Sequence, residues 1–420
     1  MRIKGGKKLK SFRILPSEII YLRELAKKQL DYAYRPIMEQ RVKEWIAHNR
    51  CRGNRPMIII EADSFWPDVK PAPLCRSEAA RWLEDQLQRN IFIYEQIGDD
   101  HVIPDFITVP LHIDFVPFGL EQQRQYAAEG IGFHIVPVLN DLPDTIESFP
   151  DSSFTCHEAE TQALVRFADD TIGDILPSRV KNTINYWTFG ITQMVVNLMG
   201  MENMFVAMME KPKAFHSLMH RITGDLKTFL RWQERKGLLP LNNGNDYMGS
   251  GSYCFTDELP RPGFDGAARS VDTWGHLNSQ ESVGISPRMF EEFIAPYYKE
   301  LSKEFGLLYY GCCEPVDPFW DHGIASLNNL RKISISPWCN EHAMAERLAG
   351  GNIIYSRKPS PNLLGIKANL DETEFKRSIK TTVDLTRDCK TEFIFRDVYK
   401  LHGNIAKLKQ AVDIVRYLSS

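Results

Sequence analysis

The chain has no run of about 18 consecutive apolar residues, so neither a membrane-spanning helix nor a membrane partner is expected. It has almost no net charge: 51 basic against 54 acidic residues leave −3. A nucleic-acid binder needs a basic excess on one face, so no nucleic-acid partner is expected. The basic start "MRIKGGKKLKSF" is not followed by an apolar stretch of signal-peptide length. The eight cysteines, Cys51, Cys75, Cys156, Cys254, Cys312, Cys313, Cys339 and Cys389, are scattered along a long chain. Together these features predict reduced thiols in a cytoplasmic protein and no disulfide framework. No strand candidate runs into a G-x-G-x-x-G turn, which argues against a dinucleotide-binding fold. Internal repeats and low-complexity linkers are also missing.

What remains is an ordinary globular composition, 43% hydrophobic and 25% charged over 420 residues. Helical spacing predicts a helix over residues 17–50, capped by Ser17, then a short β-branched strand in "RPMIIIEAD". Further helices are expected in "SEAARWLEDQLQRNIFIYEQI", "CHEAETQALVRFADDTIGDIL" and "ITQMVVNLMGMENMFVAMME", and in the long amphipathic "KAFHSLMHRITGDLKTFLRWQERKG". Strands are expected in "IGFHIVPVL", "LLPLNN", "SVDTWGHL", "GLLYYG", "KISISP", "NIIYSR" and "TEFIFRD". Helices separate the later ones, and Ser286 with Pro287 marks one helix start. Short apolar strands alternating with helices predict a parallel sheet. With seven or eight such units the expected fold is α/β, a (β/α)8 TIM barrel with an N-terminal helical extension. The extension is residues 1–55 and the single barrel domain 56–420.

In barrels of this kind the chemistry sits where strands end. Those ends carry Asn243, then His276, Gln280 and Glu281, then Cys312, Cys313 and Glu314, then Trp338 and Cys339, then Arg357 and Lys358, then Asp397. Consecutive side chains on a strand point apart, so only one of Cys312 and Cys313 is expected at the mouth. Cys312, Cys339, His276 and Glu281 come from separate strand ends and offer sulfur, nitrogen and oxygen donors for zinc. Glu281 could equally be a general base, and each cysteine could equally be a small buried hydrophobe. Arg357 and Lys358 suit a substrate carboxylate. Tyr186, Trp187, Tyr309, Tyr310 and Trp338 are candidates for the wall of a pocket.

Taken in order, "TFGITQMVVNLMGMENMFVAMMEKPKAFHSLM", "DTWGHLNSQESVGISPRMFEEFIAPYYKEL", "GLLYYGCCEPVD", "KISISPWCNEHAMAERLAGGNIIYSRKPSP" and "EFIFRDVYKLHGN" resemble the uroporphyrinogen decarboxylase superfamily. The resemblance covers about residues 180–405. It lies with the divergent branch near the corrinoid-dependent, methylcobalamin:coenzyme M type methyltransferases. The arginine-rich motif of the decarboxylase proper is absent from "RPMIIIEADSFWPDVK". The methyltransferase branch uses a His-x-Cys at a strand end and a later cysteine for zinc. Here Tyr310-Gly311-Cys312 takes the first place, so the cysteine matches and the histidine does not. The later place, near "YSRKPSP", has no cysteine, and Cys339 lies one strand earlier.

The resemblance implies a (β/α)8 barrel and zinc-assisted methyl transfer. The methyl group would pass between a small methylated substrate or thiol and a corrinoid held by a partner protein. On that reading Glu281, Cys312 and Tyr310 are catalytic. Asn243, Gln280, Trp338, Arg357 and Lys358 meet the substrate, and His276, Glu281, Cys312 and Cys339 hold the metal. A homodimer is also implied. Two other readings stand beside it: a metal-free decarboxylase or lyase acting on a carboxylated substrate, and a non-catalytic barrel that binds a tetrapyrrole or corrinoid.

Overall fold

In the computed structural model, the described residues are 12–120 and 149–420, with the strand pairs Arg2–Ile3/Lys7–Lys8 and Gln123–Tyr126/Phe133–Val136 and residues 137–139, 142 and 146. The parallel strands are labelled β1 (Met57–Ile60), β2 (Ile107–Pro110), β3 (Ser178–Lys181), β4 (Trp274–Leu277), β5 (Leu307–Tyr310), β6 (Leu330–Ile335), β7 (Ile354–Arg357) and β8 (Lys390–Phe395). β4, β5, β6, β7, β8 and β1 pair in that order into one six-stranded parallel sheet. The first of the parallel strands thus lies beside the last. β2 and β3 form a separate parallel pair.

The hydrogen-bonded ladder does not close into the expected ring, and the two sheet edges show why. At the β1 edge, Ile58 N–H donates to Asp100 Oδ2 (2.8 Å) and Ile60 N–H to Asp99 Oδ2 (2.7 Å). At the β4 edge, Asn242 brackets Trp274, donating to its carbonyl (3.0 Å) and accepting from its N–H (2.8 Å). Side chains satisfy groups that neighbouring strands would otherwise pair, and they also blunt the edges. "LLPLNN" is therefore not a strand but the loop that delivers Asn242.

Other expectations need correction as well. The helix over 17–50 is two helices, Pro16–Ala33 and Pro36–Asn49, because Pro36 cannot continue the first and suits the start of the second. Ser17 does not cap the first helix; the cap position is Leu15, whose N–H is met by Glu18 (2.8 Å). The apolar helix over 191–210 breaks at Gly200, which has φ +78°. "IGFHIVPVL" contributes Phe133–Val136 to an antiparallel hairpin, and its first two residues lie outside the described ones. β2 and β3 lie outside the expected strands, because β2 has apolar residues only at alternate positions and β3 has Val180 alone. Ser286 does cap the helix Pro287–Phe293, accepting from Met289 N–H at 3.2 Å.

Strand alternation sorts the sheet into two faces. Leu308, Tyr310, Ile333, Ile335 and Tyr355 pack into the main apolar core, and Phe393, Phe395, Ile58 and Ile60 into a second. The other face is mixed: Met57, Ile59 and Ile394 join one apolar cluster and Trp274 and Leu307 another, and a layer of polar side chains shares the face with them. There His276, Tyr309, Lys332, Ser356 and Glu392 meet one another through rings and hydrogen bonds. This polar layer leads up to the C-terminal strand ends.

Candidate active site

Strand β5 ends at Gly311, whose φ of +91° turns the chain sharply. The turn is tied on every side. Gly311 N–H donates to Leu277 O (2.8 Å), and Ser250 Oγ donates to Gly311 O (2.7 Å). Ser334 Oγ donates to Cys312 O (2.7 Å). Glu314 accepts from the N–H groups of both Cys312 and Ser279 (2.9 Å each), which joins the loops after β5 and β4. The carboxylate beside the two thiols is thus a clasp for the turn, and burial pushes its pKa up.

The turn overrides the strand rule that consecutive side chains diverge. Cys312 Sγ and Cys313 Sγ lie 3.6 Å apart, with Cys312 buried and Cys313 exposed. Gly311→Ala is expected to cost about 1–2 kcal/mol for the left-handed backbone. Its Cβ would also lie 3.1 Å from Ser334 Cβ and 3.3 Å from Val316 Cγ1. Denaturant unfolding reads the cost, and the loss of paired thiol behaviour reads the displaced turn.

Around Cys312 stand groups from several strand ends. The thiol of Cys313 lowers the pKa of Cys312, against the effect of burial, and the Arg396 guanidinium adds to it. Arg396 Nη1 is 4.0 Å from Cys312 Sγ, and its Nε is buried without a hydrogen-bond partner. Glu61 and Asp397 flank the same guanidinium at 3.6 and 3.4 Å. Trp187 lies against Arg396 and against the His276 ring. Neither Arg396 nor Glu61 stands among the sequence candidates, although each directly follows an apolar strand run, the signal that picked out Cys312.

Lys358 enters the polar layer from β7. It donates to Tyr309 Oη, to Ser356 Oγ (2.7 Å) and to Ser356 O (3.2 Å). Burial lowers its pKa to about 7, with Glu392 opposing that shift. A pKa depressed in the folded state means that the unfolded chain binds an extra proton between about pH 7 and the ordinary lysine range. Stability contributed by this group therefore rises with pH across that window and is lost as pH falls through about 7. Lys358→Met is expected to flatten that rise, as read by denaturant midpoints at pH 6.5, 8 and 9.5.

The remaining sequence candidates are dispersed. Tyr310 and Arg357 share the helix-facing side of the sheet. The Tyr310 hydroxyl is buried without a hydrogen-bond partner beside Tyr298. Arg357 donates to Ile335 O and Ser336 O (3.2 and 2.8 Å) and pairs with Glu341 at 2.5 Å. Cys339 Sγ accepts from Val316 N–H at 3.4 Å, in the apolar core. Glu281 accepts from Thr192 Oγ1 (2.7 Å) in a buried turn, and burial raises its pKa. His276 has Nδ1 at 2.7 Å from Tyr186 O and Nε2 at 3.1 Å from Gly311 O, with burial lowering its pKa to about 4. Asn243 donates to Leu259 O (2.6 Å) inside its loop, and Gln280 is half-buried in the turn that carries Glu281. Trp338 is 76% exposed.

The fit to zinc follows from these placements. Both His276 nitrogens face backbone carbonyls, of which a neutral imidazole can donate to one, Cys339 faces the core, and Glu281 is held by Thr192. Among the described residues no group of three or more His, Cys, Asp or Glu side chains is arranged to hold a metal ion. The four proposed ligands do not fit zinc in this arrangement. Among the described residues, no helix is long and apolar enough to cross a membrane.

Comparison with known proteins gives little to set beside this geometry. No family profile and no curated sequence matches the chain. Among solved structures it is similar to a methyltransferase from Methanosarcina mazei, at 11% identity over 90% of this chain and 98% of that one, with a TM-score of 0.48. At that identity and score neither a residue role nor an activity transfers.

Proposed function

We propose that this protein is a methyltransferase that uses the Cys312 thiolate at the C-terminal ends of its parallel strands. The observation that carries the reading is the setting of Cys312: a buried sulfur with a neighbouring thiol 3.6 Å away and a guanidinium at 4.0 Å, in a turn held by Ser250, Ser334 and Glu314. A thiolate is the nucleophilic form of cysteine, and a fixed one beside a cation is poised to attack an activated methyl group: the carbon–sulfur bond forms as the bond to the donor breaks, and passage of the methyl to an acceptor thiolate returns the Cys312 thiolate. Ligands of parallel α/β sheets bind outside the carboxyl ends of the strands, where this group lies.

The segment resemblance over residues 180–405 supports methyl transfer over other thiolate chemistry and implies a corrinoid carried by a partner protein. Exposed apolar side chains follow five strand ends or flank them: Trp187, Val283, Trp338, Ile366 and Tyr399. Such a rim suits the docking of a protein that presents a methyl group. Zinc is no part of the proposed step, since the residues present do not fit it. One feature favours a second reading. Lys358, with its pKa near 7, is a buried acid–base group beside Arg396 and would serve a metal-free carboxy-lyase.

The test incubates wild type and Cys312→Ala with free methylcobalamin and small thiols, following the loss of the methyl–cobalt absorbance. Turnover that depends on Cys312 supports methyl transfer. Lack of turnover, together with release of carbon dioxide from a small carboxylic acid, would transfer the assignment to the lyase.

A further inference from the structure

Adjacent cysteines rarely become partners, because Cα atoms across one peptide are about 3.8 Å apart and ordinary disulfides span about 4.4–6.8 Å. Here the sulfurs have already been brought to 3.6 Å by the Gly311 turn. The backbone of Gly311 and Cys312 is fixed by Leu277, Ser250, Ser334 and Glu314, so the approach is built into the fold. The two thiols are also unequal. Cys312 is buried next to Arg396, while Cys313 is exposed with its sulfur 4.0 Å from Asp397. The buried member of the pair lies beside a guanidinium, and the exposed member places its sulfur 3.6 Å away on the solvent side.

We propose that Cys312 and Cys313 form a reversible oxidation site, in which a small peroxide converts the pair into a vicinal disulfide. The Cys312 thiolate attacks one peroxide oxygen. An S–O bond forms, the O–O bond breaks, and hydroxide leaves to become water, giving a sulfenic acid. Cys313 then attacks that sulfur. The S–S bond forms, the S–O bond breaks, and the hydroxyl departs with the Cys313 proton as a second water. The two thiols lose two protons and two electrons, and hydrogen peroxide takes them up to become two waters.

Strain in the closed ring makes such a bond easy to reduce, which is the behaviour of a labile, regulatory disulfide. Without Cys313, the sulfenic acid has no neighbour to trap it and is driven on to the irreversible sulfinic acid. The inference rests on the reading of Cys312 as a thiolate. It adds that oxidation withdraws this thiolate from methyl transfer and that reduction returns it.

The experiment treats full-length wild type, Cys312→Ser and Cys313→Ser with hydrogen peroxide, then with dithiothreitol. Peptide mass mapping and iodoacetamide labelling follow each step. Wild type is expected to lose two hydrogens in the peptide bearing residues 312 and 313, and to recover its labelling fully on reduction. Cys313→Ser is expected to gain two oxygens at Cys312 and to recover roughly a tenth of its labelling or less. If wild-type Cys312 reacts with iodoacetamide but peroxide yields no 312–313 crosslink, the oxidation site is overturned and the thiolate reading stands. If Cys312 labels only after denaturation, both fail. The wild-type arm needs no substitution, so a variant that misfolds does not rescue the proposal.

Discussion

Serine in place of Cys312 is expected to lower kcat for methyl transfer by roughly a thousandfold or more, with KM nearly unchanged. Serine preserves the shape of the side chain and leaves the turn held by Ser250, Ser334 and Glu314 in place. It removes the thiol whose ionisation Cys313 and Arg396 favour. A hydroxyl in that position stays protonated, so the stabilisation offered by its neighbours finds no anion. An effect confined to kcat marks a group used in the reaction, whereas a positioning role would move KM as well. The wild-type thiol should also react with iodoacetamide below the pH range of ordinary cysteines. Its lowered pKa keeps the thiolate present until the pH falls through that lower value. Alkylation rates against pH, followed by peptide mapping, check this without knowledge of the substrate. A rate that follows an ordinary thiol would remove the basis of the proposed function.

The second large effect concerns stability. Lys332→Met is expected to destabilise the protein by roughly 3–5 kcal/mol at neutral pH, read from denaturant unfolding. Lys332 and Glu392 are both fully buried in the polar layer of the sheet, with Nζ 3.1 Å from Oε2. Lys332 also donates to Ser252 Oγ (2.5 Å) and lies between the rings of Trp45 and Trp274. Against the burial that would push it up, Lys332, His48 and Lys358 hold the Glu392 carboxyl well below the usual carboxylate range. A carboxyl depressed in the folded state contributes stability above the ordinary glutamate range, and that stability is lost as pH falls through its lower folded value. Without Lys332 the carboxylate is a buried charge hydrogen-bonded by His48, Ser252 and Ser356, with Lys358 as the cation left to act on it. The cost of the substitution should therefore shrink in acid, where the carboxyl can be neutral. A cost that stays constant from pH 7 to pH 4 would assign the loss to packing against the two tryptophans instead.

How far the sequence carried can be argued from single residues. Apolar runs bounded by polar residues located β1 and β4–β8, and the residue after each run is where the site stands. Cys312 and Lys358 were found that way. Arg396 and Glu61 answered to the same signal but follow their strands so directly that they read as strand ends. The helix-facing placement of Arg357 and Tyr310 was also open to the period-two rule, because each shares its parity with apolar neighbours of its own strand. What the sequence determined by itself was therefore the alternation of strands and helices, the parallel sheet, and the end of that sheet where reactive residues gather. These follow from local periodicity and from the chain direction shared by parallel strands.

Tertiary structure alone decided the rest. Asp99, Asp100 and Asn242 leave the ladder open, because side chains distant from the strands satisfy its edges. The zinc donors separate, because His276 and Glu281 find partners in segments about ninety residues away, at Tyr186 and Thr192. The Cys312 and Cys313 sulfurs meet because Gly311 adopts a backbone conformation that ends the strand rule at that residue. Each outcome depends on contacts between segments far apart in the chain or on one dihedral angle, and no local pattern of residues encodes either.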